Sequence, residues 1–233
     1  MSEIKKHLLN QIESSNDFFW LKTRHNLVGK KIKKYLINDV VDIGAGVGGL
    51  GDELKNHSKA NYYFIEIDNK SQELLEQKFG KEHNLLRSSK EFSKTTGITF
   101  LDVIEHVENP YKFISDYLKK FNKTFVIITV PSYQILWSNW DILLGHYRRY
   151  TKKSLIELTK SLGIKKIEAS YIFPELLPAA FIRKILNSNK VNFPKLPKVL
   201  NNILFLFSLF IQKIRFLFPF GLSIFYLGYY DSE

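Results

Sequence analysis

The chain contains no cysteine in its 233 residues. That excludes disulfides, thiolate metal sites and a cysteine nucleophile. Methionine occurs once, as Met1, and tryptophan only three times. Long hydrophobic runs are scarce. The longest, 203–211, stops at Gln212-Lys213, well short of the ~20 residues a bilayer span needs. Met1 to Gln11 is polar and charged, which is not the pattern of a signal peptide. A cytoplasmic setting is the expectation, with no metal ion. Proline is sparse and clustered: five of the seven lie at Pro174, Pro178, Pro194, Pro197 and Pro219.

Acidic residues are outnumbered, 23 against 34 Lys and Arg, for a net charge of +11. The excess is uneven. From Thr151 onward there are 12 basic and 5 acidic residues, or +7, which leaves +4 for the first 150. A basic C-terminal third suits a polyanionic partner, either nucleic acid or an anionic membrane surface.

What is present centres on Val40-Val41-Asp42-Ile43-Gly44-Ala45-Gly46-Val47-Gly48-Gly49. It reads as a buried strand, a glycine turn and a helix start. Glycines at 44, 46 and 48 let the backbone turn tightly and approach a ligand closely. The following helix aims free N–H groups and its positive dipole end at that ligand. Gly44, Gly46 and Gly49 also satisfy the dinucleotide fingerprint, with Asp68 near the distance of a ribose-binding acid. Asp42, just before the glycines, instead suits a ligand with positive charge beside the turn.

Periodicity places a helix over 16–37, capped by Asn16 or Asp17, with Trp20 and Arg24 four apart on one face. A strand over 62–68 carries Asp68 at its C-terminal end, where open α/β sheets bind ligands, with Glu66 as the fallback. A short strand is expected at 84–87. Asn109-Pro110 opens a helix after a strand from Ile98. The apolar run 124–130 reads as a central parallel strand, and Thr151 caps a helix ending at Leu162-Gly163.

Asp42 and the glycines form D-x-G-x-G-x-G, which resembles the first motif of class I methyltransferases dependent on S-adenosylmethionine (SAM). The run Asp102-Val103-Ile104-Glu105-His106-Val107-Glu108-Asn109-Pro110 is similar to a segment of the superfamily that includes ubiquinone-pathway O-methyltransferases. The segments Trp137-Ser138-Asn139-Trp140-Asp141 and Gly145-His146-Tyr147-Arg148-Arg149-Tyr150-Thr151 resemble a bacterial subgroup of that superfamily. Thr129-Val130-Pro131-Ser132-Tyr133 departs from the N-P-P-Y or D-P-P-Y of enzymes that methylate nucleic-acid amino groups, so nucleic acid is the less favoured partner. Absence of cysteine excludes pyrimidine C5 methylation through a cysteine adduct.

The resemblance implies an α/β, Rossmann-like fold. Its sheet is seven-stranded and mainly parallel, with helices on both faces and a helical insertion before the last strand. The expected units are an N-terminal helical cap (1–37), a SAM-binding core (38–173), an apolar helical insertion (174–222) and the last strand (223–233). SAM is the implied cofactor, bound by Asp42, Gly44, Ala45, Gly46, Gly48, Asp68, Asp102 and Val103. His146 and His106 are the candidate catalytic groups. Trp20, Arg24, Tyr133, Arg148, Arg149 and Tyr150 are candidates for the substrate side. The implied reaction is methyl transfer to O or N of a small-molecule, lipid-linked or saccharide-type acceptor. The adenine contact is left open, because Ser88-Ser89 stand where such enzymes usually place an acid. Packed alternatives accompany the roles: Trp20 and Arg24 as packing, Arg149 as a partner of Asp141. For the insertion, packing on the sheet is favoured over a lid that touches a membrane. The rival readings of the whole are a nicotinamide-dependent oxidoreductase and an inactive SAM-binding or membrane-associated protein.

Overall fold

The computed structural model describes residues 18–92, 95–186 and 196–233. Its elements run α1 (Phe19–Lys34), β1 (Asp39–Ile43), α2 (Gly49–His57), β2 (Asn61–Ile65), α3 (Asn69–Phe79), β3 (Thr96–Leu101) and α4 (Pro110–Leu118). They continue with β4 (Lys123–Pro131), α5 (Asn139–Leu143), α6 (Lys152–Ser161), β5 (Lys165–Ile172), α7 (Leu177–Leu186), α8 (Lys198–Lys213) and β6 (Ser223–Asp231).

The strands form one sheet in the order β2-β1-β3-β4-β6-β5. The pairs β1–β2, β1–β3 and β3–β4 are parallel, and β6 lies antiparallel between β4 and β5. Every residue of β1 and β3 is buried, as a strand covered on both faces requires. The pleat sends successive side chains to opposite faces. Val41, Ile43, Ile98, Phe100, Val126 and Ile128 pack on one side with Ile114 of α4 and Leu155 of α6. Val40, Phe64, Ile127, Phe225 and Leu227 pack on the other with helices α1, α2 and α3, through Val28, Leu54 and Leu75 among others.

Among the described residues the sheet has six strands, not the seven expected. The strand expected at 84–87 reduces to a single bridge between Asn84 and Phe64. The Asn84 side chain bonds Glu76 and the Leu86 N–H, so the segment turns rather than extends. The expected caps Asn16 and Asp17 lie outside the described residues. Asn109 and Thr151 cap α4 and α6 by accepting the N–H groups of Lys112 and Ser154.

The long connection from β5 to β6 departs from core packing. Helix α7 buries no residue. Helix α8 buries Asn201, Ser208, Ile211 and Gln212, while Val199, Ile203, Leu206, Phe207 and Phe210 face outward. The helix is inside-out relative to a normal surface helix. Its polar side is used internally: Asn201 accepts the Phe19 N–H, and Ser208 donates to Glu175.

Candidate functional site

Strand order reverses about β1, which has β2 on one side and β3 on the other. Open α/β sheets bind ligands at such a switch point, beyond the carboxyl ends of the strands. The glycine turn after β1 and the Asp102-Val103 segment after β3 meet there. Gly44, Gly46 and Gly48 all have positive φ, at 69, 58 and 80°. A Cβ on Gly44 would stand 2.7 Å from Val103, and one on Gly48 2.7 Å from Leu75 and Phe79. Glycine is therefore favoured by conformation at all three positions and required by space at Gly44 and Gly48.

The Gly46 N–H donates to Glu66 Oε2 at 2.7 Å. Glu66 stands one residue past β2, and its Oε1 accepts the N–H groups of Ile67 and Asp68. The Asp68 carboxylate is turned away to cap α3, accepting the Ser71 N–H at 2.9 Å. Ile67, between the two acids, is 87% exposed.

Asp42 is buried and accepts from Tyr62 Oη at 2.9 Å and Thr99 Oγ1 at 2.5 Å. Desolvation outweighs these donors and raises its pKa to about 6. Asp102 carries a left-handed φ of 56°, uncommon for a residue with a side chain. Its N–H donates to the Thr129 carbonyl, and its carboxylate accepts from Thr129 Oγ1 and pairs with Arg24 from α1. Arg24 Nε has no hydrogen-bond partner among the described residues. Trp20 stacks on Phe18 at 4.6 Å and packs against the α1–α2 side of the core.

A second cluster lies beside the first. Asp141 is fully buried at the N-terminal turn of α5. Arg149 grips it from both sides, Nε to Oδ1 at 2.7 Å and Nη2 to Oδ2 at 3.1 Å. His146 Nδ1 meets Oδ1 of the same carboxylate at 2.9 Å. The His146 ring stands edge-to-face against His106 at 4.6 Å. His106 sits at the exposed rim. Its inner side is desolvated and faces the His146 ring, and both lower its pKa, to about 4. Glu105 is 1% exposed, and its Oε2 has no hydrogen-bond partner among the described residues. Desolvation first, and Asp102 next, hold its pKa well above the ordinary value.

The remaining expected residues frame this cluster. Tyr133, at φ 58°, stacks on Tyr171, and its N–H donates to the Tyr150 carbonyl. Tyr150 is buried, with its hydroxyl on the Ile104 carbonyl. Arg148 donates to the Glu108 carbonyl. The structure thus brings Gly44, Ala45, Gly46, Gly48, Val103, Asp102 and Arg24 to one end of the sheet, with His106 and His146 alongside. It engages the fork of Arg149 with Asp141, so that fork is not open to an anionic substrate. Two shallow surface hollows, one beside Ile156 and Lys165 and one beside Tyr35 and Phe125, contain none of these residues.

Two residues were not singled out from the sequence for these places, Ile67 and Glu105, whereas the Arg149–Asp141 pairing was the packed alternative read from the sequence. The signal for Glu105 was its place beside His106, and for Ile67 an apolar residue between two acids at a strand end.

The profile of a methyltransferase-domain family matches residues 13–169, about two thirds of the chain. The chain belongs to this family. It is a SAM-dependent methyltransferase, with SAM as its cofactor. No curated protein matches its sequence. Solved structures share its fold at low identity. A SAM-dependent methyltransferase from Archaeoglobus fulgidus is 13% identical, with 88% of this chain and 94% of that one covered and a TM-score of 0.51. One from Clostridium acetobutylicum is 13% identical, with 97% of each chain covered and a TM-score of 0.54. Phosphoethanolamine N-methyltransferase 2 from Haemonchus contortus, in complex with SAM, is 14% identical. There 89% of this chain matches 52% of that one, with a TM-score of 0.55.

Proposed function

We propose that the glycine turn, Glu66 and the Arg24–Asp102 pair form the SAM site, and that the acceptor enters beside His106 and His146. The contact from the Gly46 N–H to Glu66 carries this reading. It sets a carboxylate at the C-terminal end of β2, where ribose hydroxyls can donate to it, against the N–H-rich turn. Ile67 beside it offers an exposed apolar surface for a flat base. Arg24 and Asp102 carry the two charges that complement an amino-acid zwitterion. Asp42 then acts from beneath, as a buried polar support for β1 and β3, with no direct ligand contact.

SAM supplies a methyl group already activated by a sulfonium. The protein's main task is to align donor and acceptor. Bound there, SAM would supply the methyl group to an acceptor oxygen or nitrogen and keep the C–S electron pair on sulfur, while the acceptor's proton would pass to a base or to water. His106 and His146 face the acceptor side. Asp141, clamped by Arg149, fixes the His146 ring so that Nδ1 points inward.

We further infer that the acceptor is lipid-linked or met at a membrane surface, through the outward apolar face of α8. Lys198 and Lys213 stand exposed at its two ends, and the chain is strongly basic. An apolar stripe with basic flanks fits a headgroup boundary. No described helix is long and apolar enough to cross a membrane, so the contact is peripheral. Transfer of labelled methyl from SAM to a cell extract, split into lipid and aqueous fractions, tests this. Label is expected in the lipid fraction. Label confined to the aqueous fraction contradicts a lipid acceptor.

A further inference from the structure

We propose that Glu105, His106 and His146 form a site for a first-row divalent cation, of the zinc or manganese type, at the mouth of the acceptor cleft. One donor atom from each lies within 4.8 Å of the others. Ligand bonds of about 2.0–2.2 Å place donors roughly 3–4 Å apart, so a small inward movement of the rings closes the shell.

Two independent features point to a cation. Glu105 is buried with Oε2 unpartnered among the described residues. A buried oxygen without a donor is costly, and a bound ion accounts for it. His146 is braced by a carboxylate that is itself clamped by an arginine. An Nδ1–H donated to Asp141 leaves Nε2 with the lone pair, the arrangement that orients metal-bound histidines. Two imidazoles and one carboxylate suit zinc, manganese, cobalt or iron(II) better than magnesium or calcium, which prefer all-oxygen shells.

The exposed rim at His106 leaves positions open for an outside oxygen. The use of the site rests on the methyl-transfer reading: the cation would hold an acceptor oxygen, and the two histidines would serve as its ligands rather than as bases. Its existence does not rest on that reading.

The test is calorimetric titration of the chelator-stripped full chain with Zn²⁺ and with Mn²⁺, and separately with SAM. One cation per chain with micromolar or tighter affinity is expected for at least one metal. His106→Ala and Glu105→Gln should each weaken it at least tenfold while SAM affinity stays within about twofold. His106 is exposed and the Glu105 change is isosteric, so at least one variant should keep the fold. No cation binding up to millimolar concentration, or equal binding in wild type and both variants, overturns the site. Either result with SAM binding intact leaves the methyltransferase reading standing.

Discussion

Glu66 and Gly46 are twenty positions apart in sequence and 2.7 Å apart in space, carboxylate oxygen to backbone nitrogen. That contact joins the end of β2 to the turn after β1. The two acids that the sequence sets one residue apart thus have different partners. Glu66→Ala should weaken SAM binding by ~1–3 kcal/mol, as expected when ribose hydroxyls lose a charged acceptor. Asp68→Ala should cost about 1 kcal/mol of stability through its lost helix cap and leave SAM affinity nearly unchanged. Titration and denaturant melts of the two variants check this. The reverse pattern would return the ribose role to Asp68.

Asp141 and Arg149 form a buried two-point ion pair. Arg149→Ala leaves the buried carboxylate with only His146 and Ser138, and breaking such pairs typically costs ~3–5 kcal/mol. Arg148→Ala loses one exposed bond to a carbonyl and should cost less than about 1 kcal/mol. Urea melts of both variants test the contrast. Equal stability, with a higher KM in the Arg149 variant alone, would mean that Arg149 binds substrate instead.

Asp42 has its pKa raised from 3.8 to about 6 by burial. Between about pH 4 and pH 6 the native chain therefore holds a proton that the unfolded chain has lost. Stability from this group increases as pH falls through that window and is lowest above it. Asp42→Asn removes the dependence. The stability of wild type relative to this variant should fall by up to ~3 kcal/mol from about pH 4 to pH 7. Parallel curves would show that Asp42 stays ionised throughout.

Helix α8 turns Phe207 and Phe210 outward. The paired changes Phe207→Asp and Phe210→Asp should leave the melting temperature nearly unchanged, because neither ring is in the described core. They should abolish co-sedimentation with anionic vesicles at low salt. A wild-type chain that stays in the supernatant would contradict the membrane contact. Loss of fold in the variant would restore the core-packing expectation.

The layered part of the fold was legible because its signals are local. Asn109-Pro110 and Thr151 mark helix starts, and the apolar runs of β1 and β4 declare strands buried on both faces. Where side chains compete for partners, sequence was silent. Glu66 and Asp68 are alike in type, and only the end of β2 at Ile65 decides which carboxylate faces the turn. Glu105 stands beside His106 in the sequence, but its orphaned oxygen shows only in the fold. The apolar run 203–211 was read as core because apolar helices usually bury. Here Asn201, Ser208 and Gln212 take the inner face with Ile211, and Ile203, Leu206, Phe207 and Phe210 turn outward.

The central claim is that the turn at Gly44–Gly48, closed by Glu66, is a SAM site. Titration of the purified chain with SAM and with NAD tests it most directly, using Glu66→Ala as the control. The account predicts one SAM per chain, weakened in the control, and no heat from NAD. Saturable NAD binding without SAM binding would contradict it and restore the nicotinamide reading of the same glycines.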